Sequence, residues 1–306
     1  MGGKKAREAL VALADASVFL APPAAEIPAT APPDMATQRM MFARTIAYVV
    51  KKIPTLPDFF ATRTINQYHE RPPEPGQTWK TAMGDRSLHP GDSSKAAVHF
   101  RNGREVIEGE VTKENRQKRE ERTMLDTVGT FGPILAAVLK GATTPGSSLT
   151  WSRWEQGIRG PQAVFRYRVP QGTPLFVVGS KYLRYDDTVI PFATQARFHG
   201  EIAVDPATGE ILRLTMQADF EPRLPLKRSD IMVEYSPVEM AGKIYICPTR
   251  AVSIARSRRI MDIQEWAESF KVYAPFETIL SDMVYTKYHK FNSTFRILPG
   301  YTREDK

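Results

Sequence analysis

Cysteine is the scarcest chemistry in this chain, with Cys247 the only one among 306 residues. A single thiol excludes an intrachain disulfide and a cysteine-based zinc site. Its setting, Ile246-Cys247-Pro248 within a strand-like stretch, points to a small buried hydrophobe and not to a reactive thiol. Histidine is scarce as well: His69, His89, His99, His199 and His289 stand far apart in sequence. His199 and His289 both fall on strand-like stretches beside aromatics, so a shared metal is conceivable. A solvent-facing or hydrogen-bonded histidine is the simpler reading and the one adopted. No metal and no other cofactor is expected.

The usual catalytic and nucleotide motifs are missing too. There is no Gly-Lys-Ser/Thr phosphate loop, no glycine-rich dinucleotide turn, no Gly-x-Ser-x-Gly elbow and no His-Glu-x-x-His. Asp186-Asp187 places two carboxylates side by side, but adjacent strand residues point to opposite faces, so a turn is the natural reading. No catalytic residue is assigned, and the expectation is a protein that is not an enzyme. No apolar run approaches the roughly 20 residues that a membrane helix needs, so an integral membrane protein is not expected.

What the chain has is enough apolar content, 42%, for a substantial core, and a net charge of +8. The 42 basic residues are interleaved with 34 acidic ones, which disfavours a nucleic-acid partner. The mixed-sign run Lys113–Arg122 reads as a solvated helix or loop. Arg250, Arg256 and Arg258 share one strand face by parity. That face suits phospholipid headgroups or phosphate, but a solubilising outer face is preferred. Residues 1–20 imitate an export signal in having Lys4, Lys5 and Arg7 ahead of an apolar stretch, yet Glu8 and Asp15 interrupt it. An amphipathic helix with Leu10, Leu13, Ser17 and Leu20 on one face is the better reading.

The strongest pattern runs from Arg197 to Arg256. Phe198, Gly200, Ile202 and Val204 alternate with polar residues, and so do Leu212, Leu214, Met216, Ala218 and Phe220, which predicts two half-buried strands. Asp205-Pro206-Ala207-Thr208-Gly209-Glu210 closes them as a hairpin, with Gly209 supplying a positive φ. A second hairpin turns at Met240–Lys243. Upstream, Asp34 caps a helix that carries Phe42, Ile46, Val49 and Ile53 on one face and stops at Pro54. Phe59–Glu70 reads as the first strand, Pro72–Asp92 as a polar loop anchored by Trp79, and Ala96–Glu110 as a hairpin about Asn102-Gly103. Residues 132–140 form a short buried helix between Pro133 and Gly141. Strands resume at Leu149, Ile260–Tyr273 reads as helical or irregular, and Glu277–Leu298 as two closing strands. The fold class is α+β: a large curved antiparallel sheet, a half-barrel-like meander, covered by a few helices. Residues 1–57 hold the N-terminal helices and a Pro-rich linker at 21–33, and residues 58–306 form the β domain with its inserted helix.

Trp151, Trp154, Phe165 and Tyr167 sit in an unusually aromatic run. With Phe42, Ile46 and Val49 of the Asp34 helix they are the candidate lining of an apolar cavity, set against ordinary core packing. The phrases FHGEIAVDPATGEILRL, IMVEYSPVEMAGKIYICP and VYTKYHKFNSTFRIL resemble a group of uncharacterised, mostly secreted acidobacterial proteins over about Ala6 to Gly300. Remotely, the layout is similar to the lipoprotein localisation carriers, whose curved open sheet wraps helices around an apolar cavity. The first resemblance implies a periplasmic or extracellular place, although this chain shows no clear export signal. The second implies a non-enzymatic cell-envelope protein binding a lipid or acyl chain between sheet and helices. The alternative is a structural or interaction domain with a filled core, no small-molecule ligand and an envelope protein as partner.

Overall fold

Alternation in Phe59–Glu70 becomes strand β1, whose Phe59, Ala61, Arg63 and Ile65 face one side while Phe60, Tyr68 and Glu70 face the other. The computed structural model describes residues 13–52, 55–70, 88–101, 104–108, 133–170, 177–183, 189–258, 260–265, 268–273 and 275–291. After β1 come β2 (Leu88–Arg101), β3 (Arg104–Glu108), β4 (Ser148–Gly157), β5 (Gly160–Val169), β6 (Val177–Leu183) and β7 (Val189–Gln195). They are followed by β8 (Arg197–Val204), β9 (Ile211–Asp219), β10 (Leu226–Met240), β11 (Lys243–Ser257), β12 (Ile260–Glu265), β13 (Glu268–Tyr273) and β14 (Glu277–Lys290). Helix α1 spans Met35–Lys52 and α2 spans Pro133–Ala142.

Ten strands form one open antiparallel sheet in the order β3-β2-β1-β14-β11-β10-β9-β8-β5-β4. Its inner face carries the main apolar core, in which Phe59, Val98 and Phe100 at one end connect through Met283, Val233 and Leu214 to Phe198 and Phe165 at the other. Both helices lie on this face. Asp34 caps α1 as expected, its Oδ1 accepting from the Thr37 amide at 2.7 Å. Met41, Phe42 and Thr45 are buried, with Ile46 and Val49 packed beside them. A smaller sheet, β13-β12-β6-β7, branches off after β5, so β5 pairs directly with β8.

Two expectations need correction. Ile260–Glu265 and Glu268–Tyr273 are neither helical nor irregular but the antiparallel pair β12 and β13, in which Met261 and Ile263, alternating with Asp262 and Gln264, pair across to Val272 and Phe270. The loop ending at Asp92 is shorter than expected. Strand β2 begins at Leu88, and β3 pairs only with residues 97–101, so among the described residues no strand pairs with Pro90 on that side. Gly91 is needed there, since a Cβ would lie 2.4 Å from Cδ2 of His69. Glu277–Lys290 is one long strand, and the expected second closing strand lies outside the described residues, as do Asn102-Gly103, Trp79, Asp186-Asp187 and Lys113–Arg122.

The N-terminal segment inverts its expected face. In the turn of helix at 13–17, Asp15 is the buried residue at 1% exposure, whereas Leu13 and Leu20 are 67% and 71% exposed. The reason is Arg250 on the opposite, outer face of the sheet. Its guanidinium pairs with Asp15 and, at 3.2 Å, with Asp282. The Asp15–Arg250 contact seats the segment there, with Val18 and Phe19 packing on the cluster of Met232, Val252 and Tyr68.

Candidate functional site

From Asp15 the chain runs as a strap across the outer face. Residues 17–23 roof a cleft of about 960 Å³ whose floor is the outer side of β4, β5, β8, β9 and β10. It then rounds the β4 end of the sheet, where the carbonyl of Ala31 accepts the Trp154 indole N–H at 3.0 Å, and enters α1 on the inner face.

Parity places the floor residues. Arg166 lies opposite Glu201, Arg168 opposite His199, His199 opposite Gln217 and Arg213 opposite Glu234. The bulge between Trp151 and Arg153 shifts parity within β4, sending both tryptophans inward and Arg153 outward. Arg153 then binds Glu201 bidentately, Nη1 to Oε1 and Nη2 to Oε2, each at 2.7 Å. Its Nε donates to Glu155 at 3.0 Å. Glu155 accepts from Arg213 at 2.8 Å, and Glu201 from Arg166 at 3.1 Å. Burial pushes the Glu201 carboxyl up, but Arg153 and Arg166 outweigh it and hold it below the usual carboxylate range. Burial disfavours the Arg153 cation, yet Glu201 and Glu155 raise its pKa above the ordinary arginine value. This network is closed and fully charged, a poor source of a general acid or base near neutrality.

The residues expected to line an apolar cavity are on the other face. Phe165 is 2% exposed, with its ring centroid 5.9 Å from Phe42 and 5.6 Å from Trp151. Trp154 packs edge-on to Trp151 at 4.9 Å. Tyr167 is a tie within the sheet: its hydroxyl crosses over Gly200 to donate to the Thr215 carbonyl at 2.7 Å. Gly200 is required for that crossing, since a Cβ would sit 2.0 Å from the same carbonyl oxygen. The structure therefore brings Trp151, Trp154, Phe165, Phe42, Ile46 and Val49 into one packed cluster. On β1, Arg63 is 3% exposed, and its enclosed Nε has no hydrogen-bond partner among the described residues.

Of the arginines placed on one strand face, Arg250 holds the strap, Arg256 pairs with Glu70 at 3.4 Å and Arg258 lies 4.7 Å from the centroid of Phe276. These three are structural contacts of the outer face. Cys247 is fully buried, and burial pushes its thiol up to about 12. His199 and His289 are separated by β9, β10 and β11, and no group of three metal-ligating residues occurs among the described residues. No described helix is long and apolar enough to cross a membrane. Sequence reasoning missed the cleft, because Asp15 and Arg250 are 235 residues apart and alternation reports which residues share a face, not what covers them.

No protein-family model, curated protein or solved structure matches this chain.

Proposed function

We propose that this protein is a non-enzymatic interaction domain of the cell envelope, its inner face filled by its own helices and its recognition surface the strapped cleft on the outer face. The observation that carries this reading is the seating of the two helices. A Cβ on Gly209 would lie 2.6 Å from the carbonyl carbon of Arg44 in α1, and one on Gly141 of α2 would lie 2.9 Å from Val169 and 3.0 Å from Phe198. With α1 seated on the β8–β9 turn and the backbone of α2 against the Val169 and Phe198 side chains, little space is left for an acyl chain at these points. The envelope setting rests on the resemblance of the quoted phrases to secreted proteins.

A second reading, an apolar-ligand carrier, is favoured by Arg63. A buried guanidinium with an unpartnered Nε on an apolar face suits the carboxylate of a fatty acid. Organic extraction of purified protein followed by mass spectrometry separates the two. The filled-core reading expects no lipid near one equivalent. Stoichiometric lipid that is lost in Arg63→Gln overturns it in favour of the carrier.

A further inference from the structure

Within the cleft, the arginines and glutamates divide into those already engaged and those that are not. Arg153, Arg166 and Arg213 are bound by Glu155 and Glu201. Arg168 and Gln217 make no hydrogen bond or ion pair among the described residues, yet both line the cleft. His199 stands between them, directly opposite each in the strand register. Neighbours across antiparallel strands have Cβ atoms about 5 Å apart, so the three side chains form one row that a single small ligand can span.

The chemistry of that row is donor-rich. Arg168 offers a guanidinium fork and Gln217 an amide NH2. The Nδ1 of His199 lies 3.2 Å from Oδ1 of Asp219 and is enclosed, without a well-aligned hydrogen bond. Asp219 thus takes that edge of the ring and leaves Nε2 as the nitrogen for the cleft. Of the carboxylates close by, Glu155 and Glu201 are held by arginines, Glu234 lines the cleft 3.9 Å from Arg250, and Asp219 and Asp230 do not line it, Asp230, opposite Gln217, being held by Arg228. Over the row the strap supplies Val18, Phe19, Leu20, Ala21, Pro22 and Pro23, which carry no charge, and its Glu26 also lines the cleft.

We infer that the Arg168–His199–Gln217 row is a binding site for a small organic anion, a carboxylate or a phosphate monoester, whose uncharged remainder lies in the cleft beneath the strap. The inference rests on the reading that recognition occurs on the outer face.

It is tested by 1H–15N NMR titration of the full chain with inorganic phosphate and, separately, with butyrate, in buffer free of other oxyanions. Saturable shifts of the His199 imidazole signals are expected with at least one probe. Response to phosphate alone assigns a phosphate monoester, and response to butyrate alone a carboxylate. Arg168→Ala weakens the responding probe by roughly ten- to a hundredfold, the range for losing a charge-assisted hydrogen bond. Arg168→Lys, which keeps the charge but loses the fork, falls between, and the exposed Arg223→Ala binds as the wild type. No saturable response to either probe, or equal binding by folded Arg168→Ala and Arg168→Lys and the wild type, overturns the site. The two readings fail separately: stoichiometric lipid in the extract removes the filled core while an Arg168-dependent response keeps the anion site, and the converse pair of results does the reverse.

Discussion

Ala241 has φ +52° and Gly242 φ +74° in the two-residue turn between Met240 and Lys243. This is the turn type that favours Asn-Gly, and alanine is strained in its first position. Ala241→Asn is expected to stabilise the protein by roughly 0.5 to 1 kcal/mol in urea unfolding. An unchanged or lower midpoint would show that the strain is relieved in another way. Gly209 is constrained twice, by φ +77° and by the backbone of Arg44 and Thr45 against it. Gly209→Val is therefore expected to cost roughly 2 to 4 kcal/mol, and wild-type stability would show that α1 does not seat on this turn. The turn at Gly209 was legible because Asp205, Pro206 and Gly209 each carry local turn chemistry. Its second role, receiving Arg44 of a helix 165 residues earlier in the chain (209 − 44), leaves no local mark.

At the scale of elements, β1, the β8–β9 hairpin and α1 were readable, since period two and period 3.6 record which side of each element is buried. The strap was not readable, because its leucines suggested the wrong face and its anchor is the contact of a buried acid, Asp15, with Arg250. Burial, and then the charge of Asp282, push the Asp15 carboxyl up to about 6, while Arg250 opposes them. A folded-state pKa raised above the ordinary 3.8 means that the docked strap prefers the protonated acid. That contribution is complete below about pH 3.8 and is lost as pH rises through about 6. Amides of residues 13–23 should accordingly be better protected from hydrogen exchange at pH 5 than at pH 8, after correction for intrinsic rates, with the difference flattened in Asp15→Asn. Equal protection at the two pH values, or weaker protection at pH 5, would contradict this anchoring.

At the scale of the whole molecule, the sheet's two faces divide the work. The inner face carries the main apolar core, on which α1 and α2 pack, and the outer face is an ion-paired floor under a strap. The aromatic richness that suggested a cavity is accounted for locally: the bulge in β4 turns Trp151 and Trp154 to the same side, where they pack with Phe165 and Phe42. Parity alone puts the two tryptophans on opposite faces, and a bulge has no reliable sequence signature. The claim that the interior is filled is tested most directly by titrating a fluorescent fatty acid into the folded wild-type protein. The account predicts no saturable one-to-one binding, and saturable binding at one equivalent would contradict it.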